Sequence, residues 1–207
     1  MIFQPKIEEY LMQVTPERPA VLQEMETYAA ENGFPIVGPL VGRFLYQMAR
    51  IVKARRVLEL GSGFGYSAFW FALAMGDRGK ITMIDSREDN RNRALDYFER
   101  AGLQTKIKFK VGDAFEVLTE IDKEYDIIFN DIDKASYPKT IDPAAFRLRR
   151  GGLFITDNLL WSGRVCEEPK DEATSGVVEF TKRLYADSRF FTTILPLRDG
   201  IALAVRM

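Results

Sequence analysis

The 207-residue chain is 46% hydrophobic and 29% charged, with a formal net charge of -1, no histidine and one cysteine. That composition fits one folded domain with a substantial core, and it gives no general attraction for nucleic acid or for a membrane surface. Lack of histidine excludes Ser-His-Asp, Cys-His and His-ligated metal mechanisms, and the lone Cys166 excludes an intrachain disulfide and a thiolate zinc cluster.

The chain opens without a basic stretch leading into an apolar one, and no run of about 18 apolar residues occurs, so a cytoplasmic location is the expectation. Residues 1–50 read as a helical cap with turns at Pro5, around Pro16 and Pro19, and from Gly33 to Pro39. Thr15-Pro16-Glu17-Arg18 is expected to open a helix with proline in its first turn. Lys53-Ala54-Arg55-Arg56, like Arg147-Leu148-Arg149-Arg150 later, reads as a solvated helix end rather than a phosphate contact.

From Arg56 the pattern turns to strand and helix in alternation. Val57 to Leu60 is a short apolar strand running into Gly61-Ser62-Gly63-Phe64-Gly65, and Ser67 to Met75 is helical. Glycines at 61, 63 and 65 let backbone approach a ligand where a Cβ would collide. Counted from Gly61, the last position of a dinucleotide fingerprint is Tyr66 rather than glycine, which disfavours a nicotinamide dehydrogenase and suits a cofactor without a pyrophosphate. Ile81 to Asp85 is the second strand, and Asp85 at its end can accept both ribose hydroxyls of a nucleoside. An amphipathic helix from Glu88 to Ala101 leads to a third strand, Ile107 to Val111, and to Gly112-Asp113-Ala114, where a carboxylate can receive an adenine amino proton. Glu59, ahead of the glycine-rich turn, and Asp131 complete the expected cofactor-side set.

After a helix from Ala114 to Ile121, the fourth strand, Tyr125 to Phe129, meets Asn130-Asp131-Ile132-Asp133-Lys134. A helix from Pro138 to Arg149 separates it from the fifth strand, Gly152 to Ile155, which meets Thr156-Asp157-Asn158. Asp131, Asp157 and Asn158 are hard oxygen donors suited to Mg²⁺, and Lys134 is placed to handle a proton. Taken singly, Asp131 also reads as a helix N-cap, Asp157-Asn158 as a turn, and Lys134 as a surface partner of Asp133. Trp161 reads as a wall for a flat substrate or as a core aromatic; Arg164 and Asp199 read as acceptor-pocket residues or as surface turns. Glu167 to Ala173 reads as a lid or a solvated loop, and Thr174 to Ala186 as a helix. Phe190 to Leu195 and Ile201 to Val205 form a closing antiparallel hairpin. The expected fold is α/β: a doubly wound, Rossmann-like, mostly parallel seven-stranded sheet over residues 55–207, joined to the N-terminal helices in a single domain.

These motifs, in this order, resemble the cation-dependent class I S-adenosylmethionine O-methyltransferases of the caffeoyl-CoA and catechol type. The resemblance spans about Ile36 to Arg206 and rests on Gly65-Tyr66-Ser67, Gly112-Asp113-Ala114, Asp131-Ile132-Asp133-Lys134, Asp157 through Val165, and Asp199-Gly200-Ile201. It departs at Asn130, where an apolar residue is usual, and in the short N-terminal region. It implies Asp131, Asp157 and Asn158 as ligands of Mg²⁺, Mn²⁺ or Ca²⁺, Lys134 as general base, and Gly61, Ser67, Asp85 and Ala114 around S-adenosylmethionine. The acceptor it implies is a small hydroxylated aromatic with vicinal hydroxyls, and the assembly a homodimer. A hydroxylated tRNA nucleoside and a nonenzymatic S-adenosylmethionine-binding role are the alternative readings.

Overall fold

The computed structural model describes residues 5–207, so the first four residues of the expected cap lie outside the described residues. Three helices come first: α1 (Pro5–Val14), α2 (Ala20–Asn32) and α3 (Gly38–Ile51). Thr15 to Arg18 does not open a helix; it is a connection, and α2 begins after Pro19. A residue ahead of proline is pushed out of the α region, so Arg18 interrupts any helix begun at Thr15.

Strands and helices then alternate: β1 (Arg56–Leu60), α4 (Tyr66–Ala74), β2 (Lys80–Asp85), α5 (Glu88–Arg100), β3 (Ile107–Val111), α6 (Ala114–Thr119) and β4 (Tyr125–Asn130). A 3-10 turn, Lys134–Thr140, leads into α7 (Ile141–Arg147), followed by β5 (Leu148–Thr156), a second 3-10 turn (Trp161–Cys166), α8 (Glu172–Ala186), β6 (Phe190–Leu195) and β7 (Ile201–Arg206). The sheet order is β3-β2-β1-β4-β5-β7-β6; the first five strands run parallel and β7 pairs antiparallel with both β5 and β6. This is the doubly wound seven-stranded sheet with a C-terminal hairpin that the sequence pattern calls for.

The expected helix ending at Arg149 is corrected. Leu148, Arg149 and Arg150 already belong to β5, and two arginines of this basic cluster, Arg147 and Arg149, are partly buried on protein acceptors. Arg147 donates to the carbonyls of Leu118 and Ile121, and Arg149 Nε lies 2.6 Å from Asp126 Oδ1. The other oxygen of Asp126 accepts the backbone N–H groups of Arg55 and Arg56, each at 2.8 Å. Arg55 and Arg56 themselves keep exposed side chains, as their cluster suggests.

Both sheet faces are covered, which is why the central strands read as continuous apolar runs. Val57, Ile127, Phe129 and Ile155 face Val41, Leu45 and Phe71 of α3 and α4. Leu58, Leu60, Ile128 and Phe154 face Ile141, Val177 and Phe180 of α7 and α8. Each such buried side chain stabilises the fold by about 1.5–3 kcal/mol, offsetting the cost of polar groups buried at the strand ends. Those ends build the site.

Candidate active site

Strand order reverses between β1 and β4, the position at which an open parallel sheet leaves a crevice beyond its carboxyl ends. Leu60 is in register with Asn130, and Asn130 with Thr156. The residues that follow, Gly61, Asp131 and Asp157, therefore leave the sheet at one level. Backbone bonds extend the ladder past the strands: Asp131 N–H to the Leu60 carbonyl at 2.9 Å, and Asp157 N–H to the Asn130 carbonyl at 3.2 Å. Gly61 has a φ of +79°, and a Cβ there would lie 2.4 Å from the Asp131 carbonyl oxygen, so only glycine lets the two turns nest. A cavity of about 560 Å³ opens above them.

One half of its wall comes from Gly61, Gly63, Ser67, Asp85, Asp113 and Ala114. Asp85 ties two turns together: Oδ2 accepts Gly63 N–H at 2.9 Å, and Oδ1 accepts Arg87 N–H at 3.0 Å and Asn90 Nδ2 at 2.9 Å. Asp113, on the cavity wall, caps α6 by accepting the N–H groups of Phe115 and Glu116 on Oδ1, and Oδ2 has no hydrogen-bond partner among the described residues. Two members of the expected cofactor set do not line the cavity. Gly65 backs onto Met83 and Phe98. Glu59 is fully buried in β1, where the Ser67 hydroxyl donates to it and its Oε2 has no partner among the described residues. Its burial pushes the carboxyl up to about 8. Strand alternation turns Glu59 toward α4 instead of along the strand axis into the crevice.

The other half holds Asp131, Lys134, Asp157, Asn158, Trp161 and Arg198. Lys134 Nζ lies 2.7 Å from Asp131 Oδ1, while Asp133 accepts the N–H of Ser136 and caps the 3-10 turn. Arg198 Nη1 lies 3.3 Å from Asp157 Oδ2. Burial raises both aspartate carboxyls; Lys134 opposes the rise at Asp131, whereas Asp131 adds to it at Asp157. Asn158 sits at φ +62°, a left-handed conformation that asparagine tolerates, and its Nδ2 donates to Asp199 Oδ2 at 3.2 Å. That bond fixes the carboxamide so that Oδ1 stays free. One buried carboxylate, Asp157, one partly buried carboxylate, Asp131, and one free amide oxygen fit a hard divalent cation, which would offset both negative charges. Among the described residues no three carboxylate or thiol groups cluster, so a cation held here would draw on this pair and the amide.

Arg164 and Asp199, expected on the acceptor pocket, do not line the cavity. Arg164 stacks over the Trp161 ring at 4.2 Å, on its exposed side, and Asp199 accepts Ser162 N–H at 2.6 Å in addition to Asn158. Trp161 is half-buried on the wall itself. Glu167 to Glu172 is exposed, and Asp171 caps α8 through Thr174 N–H at 2.7 Å. Arg198 and the Phe34-Pro35-Ile36 segment are cavity residues that sequence reasoning missed. For Arg198 the one available signal was its place ahead of Asp199-Gly200, at the tip of the hairpin turn. Behind the wall, α8 packs against the Lys134 turn through Gly176, where a Cβ would lie 2.3 Å from the Lys134 carbonyl oxygen.

The O-methyltransferase family profile matches residues 12–207. The chain is 34% identical to caffeoyl-CoA O-methyltransferase 3 of Nicotiana tabacum, over 94% of this chain and 86% of that one. It is 32% identical to a catechol O-methyltransferase of Niastella koreensis, over 85% of each. An O-methyltransferase from Bacillus cereus, solved in complex with SAH, superposes with a TM-score of 0.90 at 28% identity, covering 98% of this chain and 97% of that one. A profile match over nearly the whole sequence, joined to the same fold, means that this chain belongs to the O-methyltransferase family.

Proposed function

We propose that this S-adenosylmethionine-dependent O-methyltransferase methylates one hydroxyl of a small aromatic acceptor with vicinal hydroxyls, aided by a divalent cation held by Asp131, Asp157 and Asn158. The observation that carries the reading is the pair of carboxylates, Asp131 and Asp157, level on adjacent strands and opening with Asn158 and Lys134 into the same cavity as the glycine-rich turn. The SAH in the Bacillus cereus structure and the catechol and caffeoyl-CoA acceptors named for the relatives support donor and acceptor.

The donor supplies an electrophilic methyl group on sulfonium, so transfer is an in-line displacement by an acceptor oxygen. A phenol has a pKa of about 10, so roughly one in a thousand is ionised at neutral pH. When bound, the cation polarises acceptor oxygens and favours the phenolate. The chain does the rest. Asp85 and the free oxygen of Asp113 hold the nucleoside, through its ribose hydroxyls and its adenine amino group. Trp161 bounds the acceptor plane, and Lys134 Nζ, as the neutral amine, takes the hydroxyl proton to become the ammonium. Two aspartates balance a dication formally, and Asn158 adds a donor without a third negative charge that would oppose an arriving phenolate.

The enzyme in this reading is a single-domain, cytoplasmic homodimer. Exposed Tyr10 and Val14 on α1 offer an apolar face for the second copy, and no helix among the described residues is long and apolar enough to cross a membrane. A methyl-transfer assay across a catechol panel, with and without chelator, tests the proposal. Cation-dependent O-methylation of catechols is the expected result; full activity in chelator, or transfer only to hydroxylated tRNA, would sink it.

A further inference from the structure

The turn joining β6 to β7 holds Arg198 in a left-handed conformation, φ +52°. Such a backbone costs a non-glycine residue about 1 kcal/mol or more, so something other than turn geometry favours arginine there. Its side chain reaches the acceptor end of the cavity and meets Asp157 through Nη1 alone, at 3.3 Å. Among the described residues this is its one hydrogen bond, and the side chain remains 36% exposed. The Nε and Nη2 edge therefore has no protein partner. That edge is the planar fork that binds a carboxylate through two parallel bonds.

Other acids near this end are already engaged: Asp133 with the Ser136 N–H, and Asp199 with Ser162 and Asn158. Neither acid meets Arg198, so its guanidinium faces a single carboxylate, Asp157, which is read above as a cation ligand. With Asp157 committed to a cation, the open edge of that guanidinium favours a carboxylate on the guest. One cavity of about 560 Å³ must hold donor and acceptor together, which suits a single ring with a short acidic arm.

Resting on the vicinal-dihydroxy reading above, we propose that Arg198 anchors the acceptor by a carboxylate substituent, making acidic catechols the preferred acceptors. Binding is the readout. The full chain, with S-adenosylhomocysteine and Mg²⁺ present, is titrated calorimetrically with 3,4-dihydroxybenzoate, its methyl ester and unsubstituted catechol. The wild type is expected to bind the acid about tenfold or more tighter than the ester, the scale of one charge-assisted hydrogen-bonded pair. Arg198→Gln and Arg198→Gly should each bring that ratio to about one; the glycine variant also relieves the backbone, so a folding defect cannot hide the result. A merely structural arginine would not move the acid-to-ester ratio. A wild-type ratio near one, or a ratio kept by both variants, overturns the anchor while leaving the dihydroxy reading intact. Failure of all three compounds to bind overturns that reading and the anchor with it.

Discussion

Lys134 Nζ lies 2.7 Å from Asp131 Oδ1 and 3.2 Å from the Ile132 carbonyl, and Asp133, its neighbour in sequence, takes no part in holding it. The 3-10 turn after β4 folds the ammonium back over the strand end and into the cavity. A surface ion pair with Asp133 was the competing reading, and the geometry rejects it. If Lys134 is the proton acceptor, Lys134→Ala should lower kcat by about 10²–10⁴-fold, with a smaller change in acceptor KM. Lys134→Arg keeps the charge but cannot release a proton at working pH, so it should be as slow as the alanine variant. Steady-state kinetics decide; an arginine variant with native kcat would leave Lys134 a purely electrostatic role.

Asp157 is 1% exposed and carries the Arg198 contact and the Tyr137 hydroxyl on its backbone carbonyl. Asp157→Ala should weaken cation binding by more than the roughly 10–100-fold that loss of an outer partner costs, because a direct donor is removed. Titration calorimetry with Mn²⁺ checks this, beside a separate titration with S-adenosylmethionine, which should still bind. Undiminished cation affinity would remove Asp157 from the proposed donor set.

Glu59 gives the fold a pH dependence with a definite sign. Its folded carboxyl is pushed from 4.5 up to about 8 by burial, so the native state holds a proton that the unfolded chain has released. Stability therefore falls as pH rises through that window, and the loss is complete above the folded value. Glu59→Gln keeps an acceptor for the Ser67 hydroxyl and removes the titration. Its urea-unfolding free energy should decline less between about pH 5 and pH 9, by a few kcal/mol on the scale of one pKa unit per 1.36 kcal/mol. Parallel curves for variant and wild type would assign the slope to other groups.

How much of this was legible in sequence follows from where each contact is made. Asp85 ends an apolar strand, Gly61, Asp131 and Asp157 sit directly after one, and parallel strands deliver such residues to one edge. Local pattern sufficed there. Arg198 comes from an antiparallel turn folded over the sheet from the far end of the chain, a placement that no local periodicity encodes. Glu59 does not line the cavity as its motif neighbours do, because the alternation of β1 sends this one side chain beneath α4. Arg149 read as helix because its partner, Asp126, lies on another strand.

Gly176 permits a test of α8 as a support for Lys134. Alanine is favoured over glycine in a helix by about 1 kcal/mol, so Gly176→Ala should help α8 by itself. The added methyl would nonetheless meet the Lys134 carbonyl at 2.3 Å and force the turn to shift. We expect a lower kcat with S-adenosylmethionine affinity little changed, measured by kinetics and calorimetry. A native rate in this variant would show that the turn yields without moving the amine.

If Asp131 and Asp157 hold a cation as proposed, their level emergence has a consequence for ion choice. Neighbouring strands repeat at about 4.8 Å, and here the repeat is carried beyond the strands by the backbone bonds that precede both aspartates. The spacing of the two carboxylate roots is thereby set by the peptide ladder, a gauge that rotamer changes cannot widen. Discrimination between a small, octahedral ion and a larger one with looser demands would then fall to the one proposed donor that is not on the gauge, Asn158, whose left-handed backbone and Asp199 tether set how far its oxygen can follow.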